Sequence, residues 1–255
     1  MIDLLVVGGG PAGLVTGLHA ARAGLDVVVA DRRQGPIDKA CGEGLMPHTV
    51  AQLEKFGIPL RGRPFHGITY LDETHRVDAG FRAGVGMGVR RTALHAALLE
   101  AATAAGVRLV HNDIGPVTQD GTSVRCGEFR ARYLAAADGL HSPIRRSLGL
   151  ARPSRGVRRW GIRRHYATAP WSDRVQVYWA PGAEAYVTPV ADDCVGVAIL
   201  TSTQGGFDRH LTEFPLLAAH LAGQPHGPDR AAGPLRQPVS SRTADRVLLV
   251  GDAAG

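Results

Sequence analysis

Residues 3–13 of the chain, Asp-Leu-Leu-Val-Val-Gly-Gly-Gly-Pro-Ala-Gly, decide its fold. The stretch up to Val7 is short, continuous and apolar, which predicts a buried strand of a parallel sheet. The glycines at positions 8, 10 and 13 then form the pattern GxGxxG. This pattern is weak alone, and it indicates a nucleotide site only where it follows a strand and opens a helix.

The chain on the C-terminal side of the glycines supplies that context. Residues 11–23 have the composition of a helix, with Pro11 in a tolerated first-turn position and Gly24 as the C-terminal stop. A second apolar strand, Asp-Val-Val-Val-Ala, follows over residues 26–30. Strand, helix and strand in this order are a βαβ unit, the start of an α/β fold.

Within a βαβ unit the glycine pattern predicts a loop that binds a dinucleotide. Gly8 permits the sharp turn, Gly10 lets a pyrophosphate approach the backbone, and Gly13 lets the helix pack closely on the strand. The N-terminus of the helix also offers N–H groups and a partial positive charge to the phosphates. We therefore expect the cofactor to contact Gly8, Gly10, Pro11, Ala12 and Gly13.

The end of the second strand supplies the next predicted contact. Asp31 stands there, and its carboxylate can accept hydrogen bonds from a ribose diol. The adjoining Arg32 is included in the predicted cofactor site. An acid at this position disfavours a 2′-phosphate, so NADP is not expected in this site, and NAD and FAD remain.

The composition is that of an ordinary globular protein. Of 255 residues, 44% are apolar and 20% are charged, and the formal net charge is +6. Nearly all basic residues are arginines spread along the chain, which fits either codon bias or attraction to anionic ligands. No basic stripe with interleaved aromatic residues occurs, so no nucleic-acid partner is predicted.

Several other function classes lack their sequence patterns. No apolar run reaches the ~18 residues of a membrane helix, so no integral membrane segment is predicted. GxSxG, HExxH, Walker A and metal-ligand spacings are absent, which leaves hydrolases, metalloenzymes and a bound metal without support. Three cysteines without a CxxC pair, and no signal peptide, favour a cytoplasmic location.

Helical and strand-like segments alternate along the rest of the chain. Helices are predicted over residues 43–56, 92–105 and 207–222, a small antiparallel meander over 114–132, and a buried strand over 246–250.

Two arginines, Arg90 and Arg91, stand directly before the helix predicted over 92–105. Positive side chains at a helix N-terminus oppose the macrodipole by about 0.3–1 kcal/mol each. Their placement therefore predicts an anion nearby, with a solvated arginine pair as the alternative.

Four motifs follow one another along the chain. They are the glycine fingerprint, Arg91-Thr-Ala-Leu94, Ala137-Asp-Gly-Leu-His-Ser-Pro-Ile-Arg145 and Gly251-Asp-Ala-Ala-Gly255. In this order they resemble FAD-dependent oxidoreductases of the para-hydroxybenzoate hydroxylase and geranylgeranyl reductase type, over residues 1–255. The segment Lys39-Ala-Cys-Gly-Glu-Gly44 is most similar to the geranylgeranyl reductase branch and related bacterial flavoproteins.

The resemblance implies an α/β fold, with a Rossmann-like, three-layer FAD-binding domain on a mostly parallel sheet and an inserted β-rich substrate domain. It predicts five segments: a first part of the FAD-binding domain (1–60), substrate-domain strands (61–90), a second FAD-binding part (91–152), the substrate domain (153–242) and a return to the FAD-binding domain (243–255). Because chains of this family run on beyond the position of Gly255, we expect the sequence to be a fragment or a truncated reading frame.

The resemblance also implies FAD as the cofactor and NADH or NADPH as the electron donor. In this family Arg91 would face the FAD, Asp138 and Gly139 would lie near its pyrophosphate and the donor, and Gly251-Asp252 would bind the ribityl chain. On its own residues, an Asp-Gly pair at 138 is also an ordinary turn.

The implied reaction is NAD(P)H-driven hydroxylation of a small organic substrate, with alkene reduction of the geranylgeranyl reductase kind as the alternative. Cys41 is expected near the isoalloxazine ring, where it would touch flavin or substrate, or else pack as a small buried residue. Glu43 is predicted as an acid in the first turn of a helix. Val187 and Thr188 lie between Tyr186 and Pro189, where geranylgeranyl reductases carry aromatic residues around the proline, which argues against a polyprenyl substrate.

Two further hypotheses remain open. A non-catalytic FAD-binding remnant would retain the cofactor without turnover. An NAD-binding dehydrogenase would not need the late Gly251-Asp252 element and would purify colourless.

Overall fold

The structure, a computed structural model, describes residues 1–113 and 115–255. Its elements are, in chain order, β1 (Ile2–Val7), α1 (Pro11–Arg22), β2 (Val27–Ala30), β3 (Gly44–Leu45), α2 (Pro47–Lys55), β4 (Arg63–Phe65), β5 (Gly67–Leu71), β6 (Arg76–Gly80), β7 (Gly86–Gly88), α3 (Arg91–Ala104), β8 (Arg108–Val110), β9 (Val117–Gln119), β10 (Val124–Cys126), β11 (Phe129–Ala136), α4 (Pro143–Ser147), β12 (Trp160–Tyr166), β13 (Val175–Ala180), β14 (Ala183–Ala191), β15 (Cys194–Thr201), α5 (Phe207–Leu211), α6 (Pro215–Leu221), β16 (Arg230–Ala232), β17 (Thr243–Ala244), β18 (Val247–Leu249) and a final 3₁₀ helix (Gly251–Ala254).

The chain divides into two compact units. Unit 1 comprises Met1–Ile37, His95–Gly156 and Arg236–Gly255, and unit 2 comprises Asp38–Leu94 and Val157–Leu235. The five-segment division expected from the sequence stays a prediction.

Unit 1 is built on one sheet with the strand order β17-β18-β11-β1-β2-β8. Four neighbouring pairs, β18–β11, β11–β1, β1–β2 and β2–β8, are parallel. The short strand β17 and the β9–β10 hairpin join the sheet in antiparallel fashion. This mixed, mostly parallel sheet with helices confirms the predicted α/β class.

The core of unit 1 follows from the small and β-branched residues of these strands. Every residue of β2 is buried. Helix α1 packs closely on β2 because Gly17 has no side chain: a Cβ there would lie 2.7 Å from Cγ2 of Val29. An apolar cluster includes the strand residues Leu5, Val28 and Leu134, all fully buried.

Unit 2 holds a seven-stranded sheet with the order β16-β12-β15-β14-β13-β5-β6 and a three-stranded sheet, β3-β7-β4. All pairs are antiparallel except β13–β5, which is parallel. Its larger core joins apolar residues of β12 to β15 with Phe207, Phe214 and Leu217. Helices α5 and α6 therefore pack onto this sheet.

Two predicted helices differ in the structure. The helix expected over residues 43–56 is shorter, because Glu43 has a left-handed φ of 58° and Gly44–Leu45 pairs with β7 before α2 begins at Pro47. The helix expected over 207–222 is divided into α5 and α6. Pro215, at the first position of α6, has no N–H to continue the hydrogen bonding of α5.

The predicted meander over 114–132 begins at a residue outside the described part of the chain; β9, β10 and the start of β11 occupy the remainder. Among the described residues, no helix has both the length and the apolar character needed to cross a membrane. The same residues contain no cluster of side chains suited to hold a metal ion.

Candidate functional site

Four parallel strands of unit 1 end at the same edge of its sheet, and each leads into a residue predicted to bind the cofactor. Gly8 directly follows β1 and Asp31 directly follows β2, while Asp138 and Gly251 follow β11 and β18 after one intervening residue each. The chain places β2 on one side of β1 and β11 on the other, so β1 is the point where the strand order reverses. Open α/β sheets bind ligands at this position.

The glycine loop after β1 has no room for side chains at two of its positions. Gly8 has a φ of 110°, and a Cβ there would lie 2.2 Å from the carbonyl oxygen of Ala137. A Cβ on Gly13 would lie 1.8 Å from the carbonyl oxygen of Gly8. The loop therefore passes directly against the peptide that precedes Asp138, and only glycine permits this contact.

The N-terminus of α1 is open toward one side. Gly10 is the N-cap residue, Pro11 occupies the first turn, no side chain caps the helix, and its first turn holds no acid. A Cβ on Gly10 would meet no described atom within 4 Å. The positive end of the helix dipole thus faces open space, which suits an anionic diphosphate.

Asp31 is already fully hydrogen-bonded by the chain. Its Oδ2 accepts the Gly9 N–H at 2.9 Å and one guanidinium nitrogen of Arg33 at 3.2 Å. Its Oδ1 accepts the Arg33 backbone N–H at 2.9 Å and Nε of the same residue at 3.2 Å. These four donors use the carboxylate's four lone-pair positions, so a ribose diol would have to displace the half-exposed guanidinium of Arg33.

The same contacts set the charge of Asp31. Burial opposes ionisation, but the hydrogen bonds from Arg33 and from the Gly9 amide outweigh it and lower the pKa of the Asp31 carboxyl below its ordinary value. Asp31, which the sequence predicted as a cofactor contact, is therefore an ionised hydrogen-bond acceptor. The sequence analysis missed Arg33, while the predicted Arg32 is exposed.

Asp138 precedes the short helix α4 and accepts a hydrogen bond from its first turn. Its Oδ2 accepts the Ile144 N–H at 3.1 Å, within the first turn of α4, while Ser142 accepts the Arg145 N–H at 2.9 Å. The other oxygen, Oδ1, is buried and has no hydrogen-bond donor among the described residues. Asp138 therefore has a local capping role and retains one acceptor oxygen without a partner.

Arg145 joins two of the predicted segments inside unit 1. The residue is 2% exposed, and its guanidinium donates to the carbonyl oxygens of Leu140, Asp252 and Ala253 at 2.7–3.2 Å. The Asp138-Gly139 loop is thereby fixed to the 3₁₀ helix that follows β18. Arg145 was quoted in a motif but given no role, and only the fold reveals one.

The Gly251-Asp252 segment also contacts the glycine loop. Gly251 has a φ of 61°, and a Cβ there would lie 2.7 Å from Cβ of Ala12. The side chain of Asp252 is exposed, whereas its carbonyl oxygen is held by Arg145. Three of the four motifs are thus in contact within unit 1.

Cys41 and Arg91 belong to unit 2, where both are linked to Glu43. Glu43 is 4% exposed, its Oε1 accepts the Arg91 backbone N–H at 2.8 Å, and its own N–H points at Sγ of Cys41, 3.4 Å away. The carboxylate thus caps the N-terminus of α3. Glu43 was expected in the first turn of a helix, and that prediction is wrong. Its carboxylate contacts the backbone N–H of Arg91, whereas Nε of Arg91 is buried without a hydrogen-bond partner among the described residues, so the anion expected beside Arg90 and Arg91 stays a prediction.

Glu43 also belongs to a buried polar network of unit 2. Its Oε2 lies 2.6 Å from Nε2 of His165, and Nδ1 of His165 accepts from Arg163 at 2.8 Å. Arg163 is 2% exposed and forms an ion pair with Asp38. This network connects the Cys41 segment to β12. The sequence could not predict this contact, because its residues lie more than 100 positions apart.

The residues of unit 1 fit FAD. The glycine loop leaves open space at the positive end of α1, where a diphosphate is favoured, and the edge also carries ionised Asp31 and the unpartnered oxygen of Asp138. A dinucleotide supplies an anion for the helix end and hydroxyl groups that can donate to the unpartnered oxygen of Asp138.

Comparisons with known proteins agree with this fit. A family model described as FAD binding domain matches residues 1–255. The chain is 30% identical to menaquinone reductase of Mycobacterium tuberculosis, covering 99% of this chain and 70% of that protein. It is 28% identical to digeranylgeranylglycerophospholipid reductase 1 of Methanothermobacter thermautotrophicus, with 100% and 70% covered.

Solved structures share the fold. A flavoprotein/dehydrogenase from Cytophaga hutchinsonii superposes with a TM-score of 0.86 at 19% identity, over 99% of this chain and 71% of that chain. A flavin-dependent halogenase superposes with a TM-score of 0.85 at 21% identity, over 99% and 53%.

Proposed function

The chain belongs to the FAD binding domain family and is an FAD-dependent oxidoreductase, and on this premise we propose that it serves an NAD(P)H-driven reductase that saturates a carbon–carbon double bond of a lipid. The observation that carries the proposal is the similarity, over at least 99% of the chain, to two proteins named as reductases of lipid molecules. The stoichiometry is one NAD(P)H and one proton consumed per double bond.

We assign cofactor binding to the sheet edge of unit 1. FAD, when bound, supplies two-electron transfer between the nicotinamide and the substrate. The N-terminus of α1 at Gly10 to Gly13 would hold the diphosphate, and Asp31 would hold a ribose after Arg33 moves aside. Asp138, Gly139, Gly251 and Asp252 complete the proposed contacts, with Arg145 fixing their loops.

Cys41 and Arg91 remain the proposed contacts to substrate and cofactor, and Glu43 holds both segments through its hydrogen bonds. Cytoplasmic location and a small-molecule substrate also stay predictions.

Hydroxylation of a small organic substrate is the second candidate. It is favoured by Val187 and Thr188 on β14, at positions where geranylgeranyl reductases carry aromatic residues. The two reactions differ in their use of oxygen and in the mass that they add to the substrate.

The experiment is an NADH and NADPH oxidation assay, with and without oxygen, using menaquinone and a geranylgeranylated glycerophospholipid as probes. The reductase proposal predicts turnover without oxygen and a product two mass units heavier per double bond. Oxygen consumption with a gain of one oxygen atom would favour hydroxylation. Retained FAD without turnover of any probe would support the non-catalytic hypothesis.

A further inference from the structure

We propose that His95 is a positioning residue for the cofactor loop: it fixes the peptide between Gly9 and Gly10 so that the Gly10 N–H faces the diphosphate. The inference rests on the proposed binding of FAD at this loop. His95 lies in α3, 86 residues along the chain from Gly9, and neither the motifs nor the comparisons single it out.

The hydrogen bonds of His95 define the state of its ring. The side chain is 1% exposed; Nδ1 accepts the Ile37 N–H at 3.4 Å, and Nε2 lies 2.7 Å from the carbonyl oxygen of Gly9. Since an N–H points at Nδ1, the proton of the neutral ring is on Nε2 and is donated to Gly9. His95 thus acts as a neutral donor to the loop.

The orientation of this carbonyl determines the direction of the next amide. In a trans peptide the C=O and the following N–H point in opposite directions. With the Gly9 carbonyl directed at His95, the Gly10 N–H points away from α3, while the N–H of Gly9 is held by Asp31 at 2.9 Å. The two peptides that flank Gly9 are therefore each fixed by one side chain.

Glycine makes this restraint necessary. Gly9 and Gly10 lack the side chains that limit rotation in other residues, so a peptide between them can turn over at low steric cost. The ring that restrains it is itself confined, because a Cβ on Gly35 would lie 2.7 Å from Cε1 of His95. A confined ring and a flexible loop together give one amide orientation before the cofactor arrives, which lowers the cost of binding.

The test compares His95→Leu, which removes the donor, with His95→Gln, whose amide can still donate to Gly9. FAD affinity is measured by flavin fluorescence, and the environment of the diphosphate by ³¹P NMR of bound FAD. We expect His95→Leu to weaken FAD binding about tenfold, equal to about 1.4 kcal/mol, and to shift the phosphorus resonances. His95→Gln is expected to retain most of the affinity and the resonance positions.

Leu98→Ala is the matched control. Leu98 is 1% exposed on the same helix, and its truncation destabilises the core by about 2–5 kcal/mol without removing a donor to the loop. This variant is expected to have a lower Tm with FAD affinity near that of the wild type. A merely structural role for His95 would make His95→Leu behave in the same way, and that result would overturn the proposal.

A second measurement does not depend on any variant. Titration of the ¹⁵N-labelled wild-type chain with ADP should move the Gly10 amide resonance more than that of Gly9, whose N–H is already held by Asp31. An unmoved Gly10 resonance with ADP bound would refute the inference while leaving FAD binding intact. A wild-type chain that binds neither ADP nor FAD would instead refute the proposed function.

Discussion

Glu43 shows how one residue can carry a strained backbone and a buried charge at once. Its φ of 58° is rare for a residue with a side chain, and its carboxylate is 4% exposed. Both costs are offset by the Arg91 N–H at 2.8 Å, the positive end of α3 and the bond to His165 at 2.6 Å.

We expect Glu43→Gln to destabilise the chain by about 1–3 kcal/mol, because the neutral amide loses the charge that caps α3 and leaves His165 poorly matched. The measurement is the midpoint of urea unfolding. Glu54→Gln, on the exposed side of α2, is the control and should change stability by less than about 0.5 kcal/mol. Equal midpoints for the two variants would contradict the capping role.

Cys126 gives a second prediction at the scale of one residue. Burial, together with the charge of Asp138, raises the pKa of its thiol to about 11. Since only the thiolate reacts, roughly one molecule in a thousand is reactive at pH 8. We expect iodoacetamide to leave Cys126 unmodified in the folded chain and to modify it in urea, as read by peptide mass spectrometry. Rapid modification without urea would show that the thiol is not buried as described.

Helix α1 allows a paired test at the scale of one element. Gly10→Ala adds a methyl group where no described atom lies within 4 Å, whereas Gly13→Ala places one 1.8 Å from the Gly8 carbonyl oxygen. We expect Gly10→Ala to cost about 1 kcal/mol or less in stability, as an N-cap change, yet to weaken FAD binding by roughly tenfold or more.

Gly13→Ala should instead cost about 3 kcal/mol or more, because the backbone of the loop must move away from α1. Thermal unfolding and FAD titration of both variants separate the two effects. If Gly10→Ala bound FAD normally while remaining folded, the diphosphate would not lie at this helix.

The elements best predicted from the sequence are those decided by local pattern. Helices α1 and α3 were expected within one residue of their observed bounds, because capping glycines, Pro11 and apolar periodicity are all local. The family resemblance, which rests on four motifs in a fixed order along the chain, is confirmed as well.

What could not be predicted depends on partners far apart in the chain. The position of Glu43 is set by Arg91 and His165, 48 and 122 residues away, and no local pattern encodes either contact. Likewise the bonds of Arg145 to the 3₁₀ helix cross more than 100 residues. Local composition predicts a helix from Glu43 onward, but Gly44 pairs with Gly88 of β7 in the structure, and this long-range pairing excludes a helix there.

At the scale of the whole molecule, unit 1 assembles one edge from segments spread over the full length of the chain. Parallel pairing of four strands brings their carboxyl ends together, and short loops then hold the predicted contacts. A ligand that spans this edge must therefore stabilise segments that are far apart in the sequence. If the segments formed separate sites, one ligand would stabilise only some of them.

Hydrogen exchange measures directly whether FAD stabilises all four segments at this edge of the sheet. At 100 times its Kd, FAD should raise the free energy of unfolding by about 2.7 kcal/mol. Exchange should become slower in all four segments, which are residues 8–13, 31–33, 138–140 and 251–253. The edge strand β6, exposed at every residue in unit 2, serves as the internal control and should exchange at the same rate with and without FAD. Protection limited to the first two segments would mean that the cofactor does not reach the ends of β11 and β18, and the assignment of Asp138 and Asp252 would then be wrong.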